Sequence, residues 1–130
     1  MRSVAREIVF EYLFSRLFNQ KDEGLFAVLS KNLNTDDKVF AENLLNFVLN
    51  SEEKYAEEIT NLSKNFKYDR IFAADKCAIN IGMAELDNFR ETPKAVVIDE
   101  AVKLAAKFST EKSTDFVNGI LAEYAKNIGV

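Results

Sequence analysis

Apolar residues recur along this chain at helical three-to-four spacing, and little interrupts them. From Val4, the positions Val4, Ile8, Tyr12 and Phe18 form a line with Ala5, Val9, Leu13 and Leu17 beside it. This is the stripe of a helix seated on a core, and Ser3 is a suitable N-cap for it. The polar stretch 19–24 ends that helix. A short apolar segment, 25–33, follows, and Asn34-Thr35-Asp36-Asp37 reads as turn and cap for a helix carrying Phe40, Leu44, Phe47 and Val48. Ser51-Glu52-Glu53 suits either a new cap or a kink in one long helix. Asp69 is the expected cap of a strongly apolar helix over 71–86, whose narrow polar face predicts that neighbours surround it. Thr92-Pro93 opens the next helix, with proline at the first position, where no hydrogen bond is lost. Its expected buried stripe is Ile98, Ala101, Val102, Ala105 and Phe108. Ser109-Thr110-Glu111 restarts the chain into a last helix through Val117, Ile120, Leu121, Tyr124 and Ile128, and Gly129 suits its C-terminal end. The β-branched run Val96-Val97-Ile98 lies within helical spacing and is read as helix. The fold expected is all-α: a compact bundle of about six or seven helices, one domain over residues 1–130.

Composition narrows what such a bundle can do. The 130 residues carry 17 basic and 21 acidic side chains, a formal net charge of -4, so any nucleic-acid site has to be a local patch. Histidine is absent from the sequence, which removes the usual general base near neutral pH and the commonest metal ligand. Cys77, the single cysteine, sits in an apolar helix where a thiol behaves as a small hydrophobe. The acid pairs Asp36-Asp37, Glu52-Glu53 and Glu57-Glu58 are sequential, so their side chains diverge by about 100° on a helix and do not converge on one substrate atom. No glycine-rich phosphate loop is present. No catalytic residue, metal site or cofactor is therefore expected. No apolar run approaches the roughly 20 residues of a membrane span, the N-terminus lacks a secretion core, and a lone cysteine fits a reducing compartment; a cytoplasmic protein is expected.

Local charge is more informative than the total. Arg2, Arg6, Arg16 and Lys21 outnumber Glu7 and Glu11 over residues 1–21. Arg2 and Arg6 are one helical turn apart, and Phe10 and Phe14 continue the same line. Guanidinium groups beside flat rings suit single-stranded RNA, since arginine pairs with phosphate and rings stack on unpaired bases. Arg6 is expected to be exposed, so that its removal weakens RNA binding without moving the thermal midpoint. Near the C-terminus, Gly119 stands mid-helix at a cost of roughly 0.8–1 kcal/mol relative to alanine, which predicts close approach of another helix or a ligand. Phe116 lies about 100° from Val117, placing it at the edge of the buried stripe. It is either free to stack on a base or a ring that finishes the core.

The segments Ile98-Asp99-Glu100-Ala101-Val102, then Leu104-Ala105 with Lys107-Phe108, then Phe116-Val117-Asn118-Gly119-Ile120-Leu121 resemble the NusB family of transcription antitermination factors. The likeness runs over essentially the full chain. Supporting matches are Ala5-Arg6-Glu7 leading to Leu13-Phe14, Phe40 with Leu44-Leu45, and Asp75-Lys76 opening the segment that ends at Glu85-Leu86. The resemblance implies two packed helical sub-bundles and no enzymatic activity. It also implies a role in binding boxA RNA of ribosomal RNA leaders together with the ribosomal small-subunit protein NusE. Through that complex the factor would act on the RNA polymerase elongation complex indirectly and support rRNA transcription and processing. Carried over by position, the RNA-binding residues are Arg2, Arg6, Phe14, Lys76 and Phe116, and Asp75 falls at the NusE contact. The arginine arm is sparse here, Asn80 stands where the family usually has arginine, Ala84 replaces a tyrosine, and Asp99 replaces an asparagine. Each loses a contact, so RNA affinity of the isolated chain is expected to be weak. NusB-like domains also form the RNA-binding part of certain rRNA cytosine methyltransferases; with the sequence ending at Val130, the standalone factor is expected. The competing class is a protein-binding helical adaptor, or a homodimer, without direct RNA recognition.

Overall fold

The helix at the centre of the molecule, α5 (Ala73–Asn88), touches nearly everything else, because eleven of its 16 residues are buried. The computed structural model describes residues 2–18, 23–64 and 66–130, so Lys21 and most of the expected turn at 19–24 lie outside the described residues. Among the described residues there are six further helices: α1 (Arg2–Arg16), α2 (Glu23–Ser30), α3 (Thr35–Asn50), α4 (Glu52–Leu62), α6 (Lys94–Phe108) and α7 (Glu111–Asn127). A 3-10 turn, Tyr68–Arg70, leads into α5. One sub-bundle joins α1, α2 and α3; the other joins α4, α6 and α7; α5 packs against both. No strand occurs among the described residues.

Several helix ends follow from side chains the sequence displays. Asn34 caps α3, its Oδ1 accepting from the Asp37 amide at 2.8 Å, with Asp36 and Asp37 favourably placed in the first turn. Thr110 and Ser113 form a reciprocal capping box at the start of α7. Gly129, at φ +82°, takes the left-handed conformation that ends it. Ser51 separates two helices and does not kink one, serving as C-cap of α3 and N-cap of α4.

Other expectations need correction. Ser3 lies inside α1, where its hydroxyl donates to Glu100 Oε1 at 2.8 Å and caps nothing. Asp69 belongs to the 3-10 turn, and Phe72, not Asp69, precedes α5. Pro93 is the N-cap of α6, one position before its first turn. The buried seam of α6 is Val97, Ala101, Leu104 and Ala105, rotated from the expected stripe because α5 and α7 hold the helix on both flanks; Ile98, Val102 and Phe108 are half-buried. Val4, Leu17 and Phe18 are exposed, whereas Phe10 is fully buried.

The approach of α5 to α7 depends on Gly82. A Cβ added there would meet Leu121 Cδ1 at 2.5 Å, and Leu121 is itself fully buried. Gly119 is the opposite case: a Cβ there meets nothing within 4 Å, so the expected close approach at Gly119 does not occur. One carboxylate further unites α4, α5 and α7. Asp87 accepts the hydroxyl of Tyr55 at 2.7 Å and that of Tyr124 at 2.9 Å, with both rings sealed in the core and set edge to face. Burial first, then the Asp87 carboxylate, pushes both hydroxyls well above the ordinary tyrosine value of 10.0.

Gly82→Ala should destabilise the fold by about 1–3 kcal/mol through overpacking, while Gly119→Ala should stabilise α7 by up to about 1 kcal/mol; urea unfolding of both variants checks the pair. Because the two tyrosines ionise near 10.0 only in the unfolded chain, the unfolded state releases protons first as pH rises. Their contribution is complete below about pH 10 and declines above it. Tyr55→Phe should cost about 1 kcal/mol near neutral pH and show a shallower loss of stability above pH 10 than the parent chain in matched denaturant titrations.

Candidate nucleic-acid interface

The N-terminal arginines do share one side of α1, and both lie over the Phe40 ring of α3: the Arg2 guanidinium is 4.4 Å from its centroid and that of Arg6 is 5.3 Å. Their environments then diverge. Arg2 is exposed. Arg6 is only 4% exposed and forms a two-point pair with Glu85 of α5, which is 1% exposed: Nε to Oε1 at 2.7 Å and Nη2 to Oε2 at 2.5 Å. Nη1 also lies 3.7 Å from Glu100 Oε1. The expectation of an exposed Arg6 is therefore wrong: α1 packs this face against α5 and α6, and the planar fork of donors is consumed inside the protein.

Phe14 is half-buried in a row of rings. Phe108 stacks on Phe10 at 4.5 Å, Phe10 on Phe14 at 5.8 Å, and the exposed Phe18 meets Phe14 edge-on at 5.1 Å. Sequence spacing put Phe10 with the exposed arginine line; the structure makes it the buried inner rung.

α1 runs antiparallel to α5, since Arg6 meets Glu85 near the C-terminal end of α5 while Leu13, Arg16 and Leu17 meet Lys76, Cys77 and Asn80 near its start. At 1.5 Å per residue, Arg2 and Arg16 are about 21 Å apart along α1. The cations thus occupy two places and not one corner. The second is a cleft of about 260 Å³ between α1, the 3-10 turn and α5, lined by Arg16, Lys76, Asn80 and Tyr68 among others. Lys76 Nζ lies 4.0 Å above the Tyr68 ring, and Arg16 pairs with Glu52 at 2.7 Å. Cys77 forms part of the wall. Burial pushes its thiol up to about 12 despite the opposing charges of Arg16 and Lys76, which makes it a packing residue and not a nucleophile.

On the other side of the first turn of α5 lies a different cavity, also about 260 Å³, where Asp75 and Phe116 meet. Phe66 and Phe116 are set edge to face at 5.8 Å, and Phe72, largely exposed, lines the same opening. Asp75 is buried, and its Oδ1 has no hydrogen-bond partner among the described residues. A sealed carboxylate oxygen without a donor is costly to the isolated chain and readily satisfied by an N–H from outside. Lys76 and Asp75 are adjacent in sequence, yet about 100° of helical rotation sends them to opposite sides of the turn. Sequence reasoning missed Arg16 as a partner of Lys76, and the Phe66 and Phe72 walls around Asp75. Only the meeting of α1 with α5, and of the 62–72 connection with α7, brings these groups together.

The model of the NusB family matches residues 2–126. The chain belongs to the NusB family. The transcription antitermination protein NusB of Methylacidiphilum infernorum is 35% identical over an alignment covering 98% of this chain and 92% of that protein. The NusB protein of Natranaerobius thermophilus is 31% identical, over 98% and 96% respectively. Among solved structures, T. maritima NusB superposes with a TM-score of 0.89 at 25% identity, covering 97% of this chain and 91% of that one. A chain from a crystal structure of the antitermination factors NusB and NusE in complex with dsRNA superposes with a TM-score of 0.83 at 28% identity, covering 97% and 96%. The all-α NusB fold, with its two sub-bundles around α5, is thus the architecture of this chain.

Arg6→Ala should destabilise the protein by about 3–5 kcal/mol, because it strands a buried Glu85 carboxylate. Removing both charges, as Arg6→Met with Glu85→Leu, should recover most of that loss. Denaturant unfolding of the single and double variants measures both.

Proposed function

We propose that this chain is a transcription antitermination factor of the NusB type. In this reading it binds single-stranded boxA-type RNA of ribosomal leader transcripts together with NusE, supporting rRNA transcription and processing in the cytoplasm. The reading assigns it binding and not catalysis, with all of 1–130 acting as one domain. Its main support is the division of labour around the first turn of α5. On one flank, Lys76 and Arg16, the latter paired with Glu52, place two cations against one carboxylate on an acidic molecule. On the other, a buried acceptor at Asp75 awaits a donor beneath a rim of phenylalanines. An RNA strand fits the first chemistry and a protein partner bearing an arginine, lysine or backbone N–H fits the second. The likeness to a NusB chain crystallised with NusE and dsRNA supports the same pairing of ligands.

In this reading Arg2, Phe14 and Lys76 face RNA, Asp75 faces NusE with Phe116, expected on the RNA side, in the wall of the same cavity, and Arg6 acts by holding α1 against α5. Among the described residues no helix is long and apolar enough to cross a membrane, and no group of three or more acidic or cysteine side chains is gathered to hold a metal.

Fluorescence anisotropy with labelled boxA RNA tests the proposal. The chain alone should bind weakly, with log K falling against log salt at a slope of about -2, the value for two or three neutralised phosphates on a single strand. NusE should tighten the complex. Asp75→Asn should weaken NusE binding while leaving the RNA affinity of the isolated chain unchanged. RNA that fails to bind even with NusE present would favour the protein-binding adaptor.

A further inference from the structure

We infer that Phe40 of α3 is a positioning residue for the RNA contact of Arg2: its ring holds the guanidinium in place without cancelling its charge. The inference rests on the RNA-binding reading above and adds to it a residue that touches no RNA itself. The three arginines of α1 are held in different ways. Arg6 spends its donors on Glu85, and Arg16 pairs with Glu52. Arg2, exposed in the first turn, has no hydrogen bond or ion pair among the described residues; what holds it is the Phe40 ring, whose centroid lies 4.4 Å from the guanidinium carbon. A carboxylate in that place would fix the cation and also neutralise it toward a phosphate. A ring attracts it through its quadrupole and leaves the full charge and the fork of N–H donors unspent.

The need for such a hold comes from the helix itself. The first turn of α1 contains no acidic residue, and a cation there is opposed by the positive end of the helix dipole. An untethered arginine on that turn would sample many rotamers and lose that freedom on meeting a phosphate. The platform beneath it is fixed. Phe40 is 3% exposed and meets Phe89 at 5.0 Å, and Phe89 in turn meets Phe47 edge-on at 5.7 Å. The Arg6 guanidinium lies 5.3 Å from the same Phe40 centroid and is locked to Glu85. Part of the ordering that phosphate binding demands is thus already met in the free chain, by a contact that costs Arg2 none of its donors.

The test measures binding of labelled boxA RNA by the chain with NusE, over a salt series, for the parent, Phe40→Leu, Arg2→Gln and the double variant. Leucine keeps an apolar side chain at position 40 and removes the ring. Arg2→Gln should lower affinity and make the salt slope shallower by about 0.7, the loss of one phosphate contact. Phe40→Leu should lower affinity by about two- to fivefold, the worth of an exposed cation–π contact, with the slope kept. In the Arg2→Gln background the same substitution should change nothing further. An equal loss in both backgrounds, or no loss in either, would reduce the ring to a core residue and overturn the proposal. A second readout needs no variant to fold: in the labelled parent chain the δ-methylene protons of Arg2 should resonate upfield through the Phe40 ring current and stay there as RNA is added. Ordinary arginine positions in the free chain, or a return to them on binding, would equally overturn it. If Arg2→Gln changes neither affinity nor slope while the parent binds RNA, Arg2 is no contact, and the proposal falls while the RNA-binding reading stands. If the parent binds no RNA at all, the reading itself fails and this proposal with it.

Discussion

The buried pair between Arg6 and Glu85 sets the register on which the rest depends. Two charges placed out of water are tolerable only with good geometry, and the two-point guanidinium to carboxylate contact supplies it. The pair fixes α1 at one point along α5, and the helices then run antiparallel as rigid rods. From Arg6 to Arg16 is about 15 Å on α1, and from Glu85 to Lys76 about 14 Å on α5. These matching lengths bring Arg16 beside Lys76. A slip of one turn on either helix would separate the cations and close or empty the cleft between them. The group that looks most like a nucleic-acid contact in the sequence is thus the one that aligns the cations found elsewhere.

Helix α5 carries this alignment because it is apolar on nearly every side and can accept neighbours all round. Polar groups on it are few, and each has a definite position. Glu85 points to α1, Asp87 gathers two tyrosines from α4 and α7, and Asp75 and Lys76 diverge at its start. The core is built around one surrounded helix, and the surface chemistry is placed by where that helix begins and ends.

Much of this architecture was legible in the sequence. The period of apolar residues gave the helices, the density of small and aliphatic residues over 71–86 marked the central one, and Asn34, Thr110 and Gly129 announced their roles by side chain or conformation. The errors share a cause. Periodicity tells which residues lie on one face but not what that face meets, so Arg6 and Phe10 were read as outward when α1 in fact turns them to α5 and α6. In the same way the stripe of α6 was rotated, because two neighbours compete for it. The candidate sites were legible only in part: Lys76, Asp75 and Phe116 are named by motif, but Arg16, Asn80, Phe66 and Phe72 join them through contacts between segments distant in sequence. No spacing rule within one helix reports such a meeting.

The closeness of Gly82 to Leu121 carries an evolutionary consequence. The two helices share one fixed gap, so the volumes at these positions are exchangeable only as a sum. A lineage that gains a methyl group at 82 has to turn the Leu121 side chain, surrender carbon at 121 or spread its helices, and any spreading would pull on every element that leans on α5. Paired substitution at 82 and 121 is therefore one route by which this seam can drift.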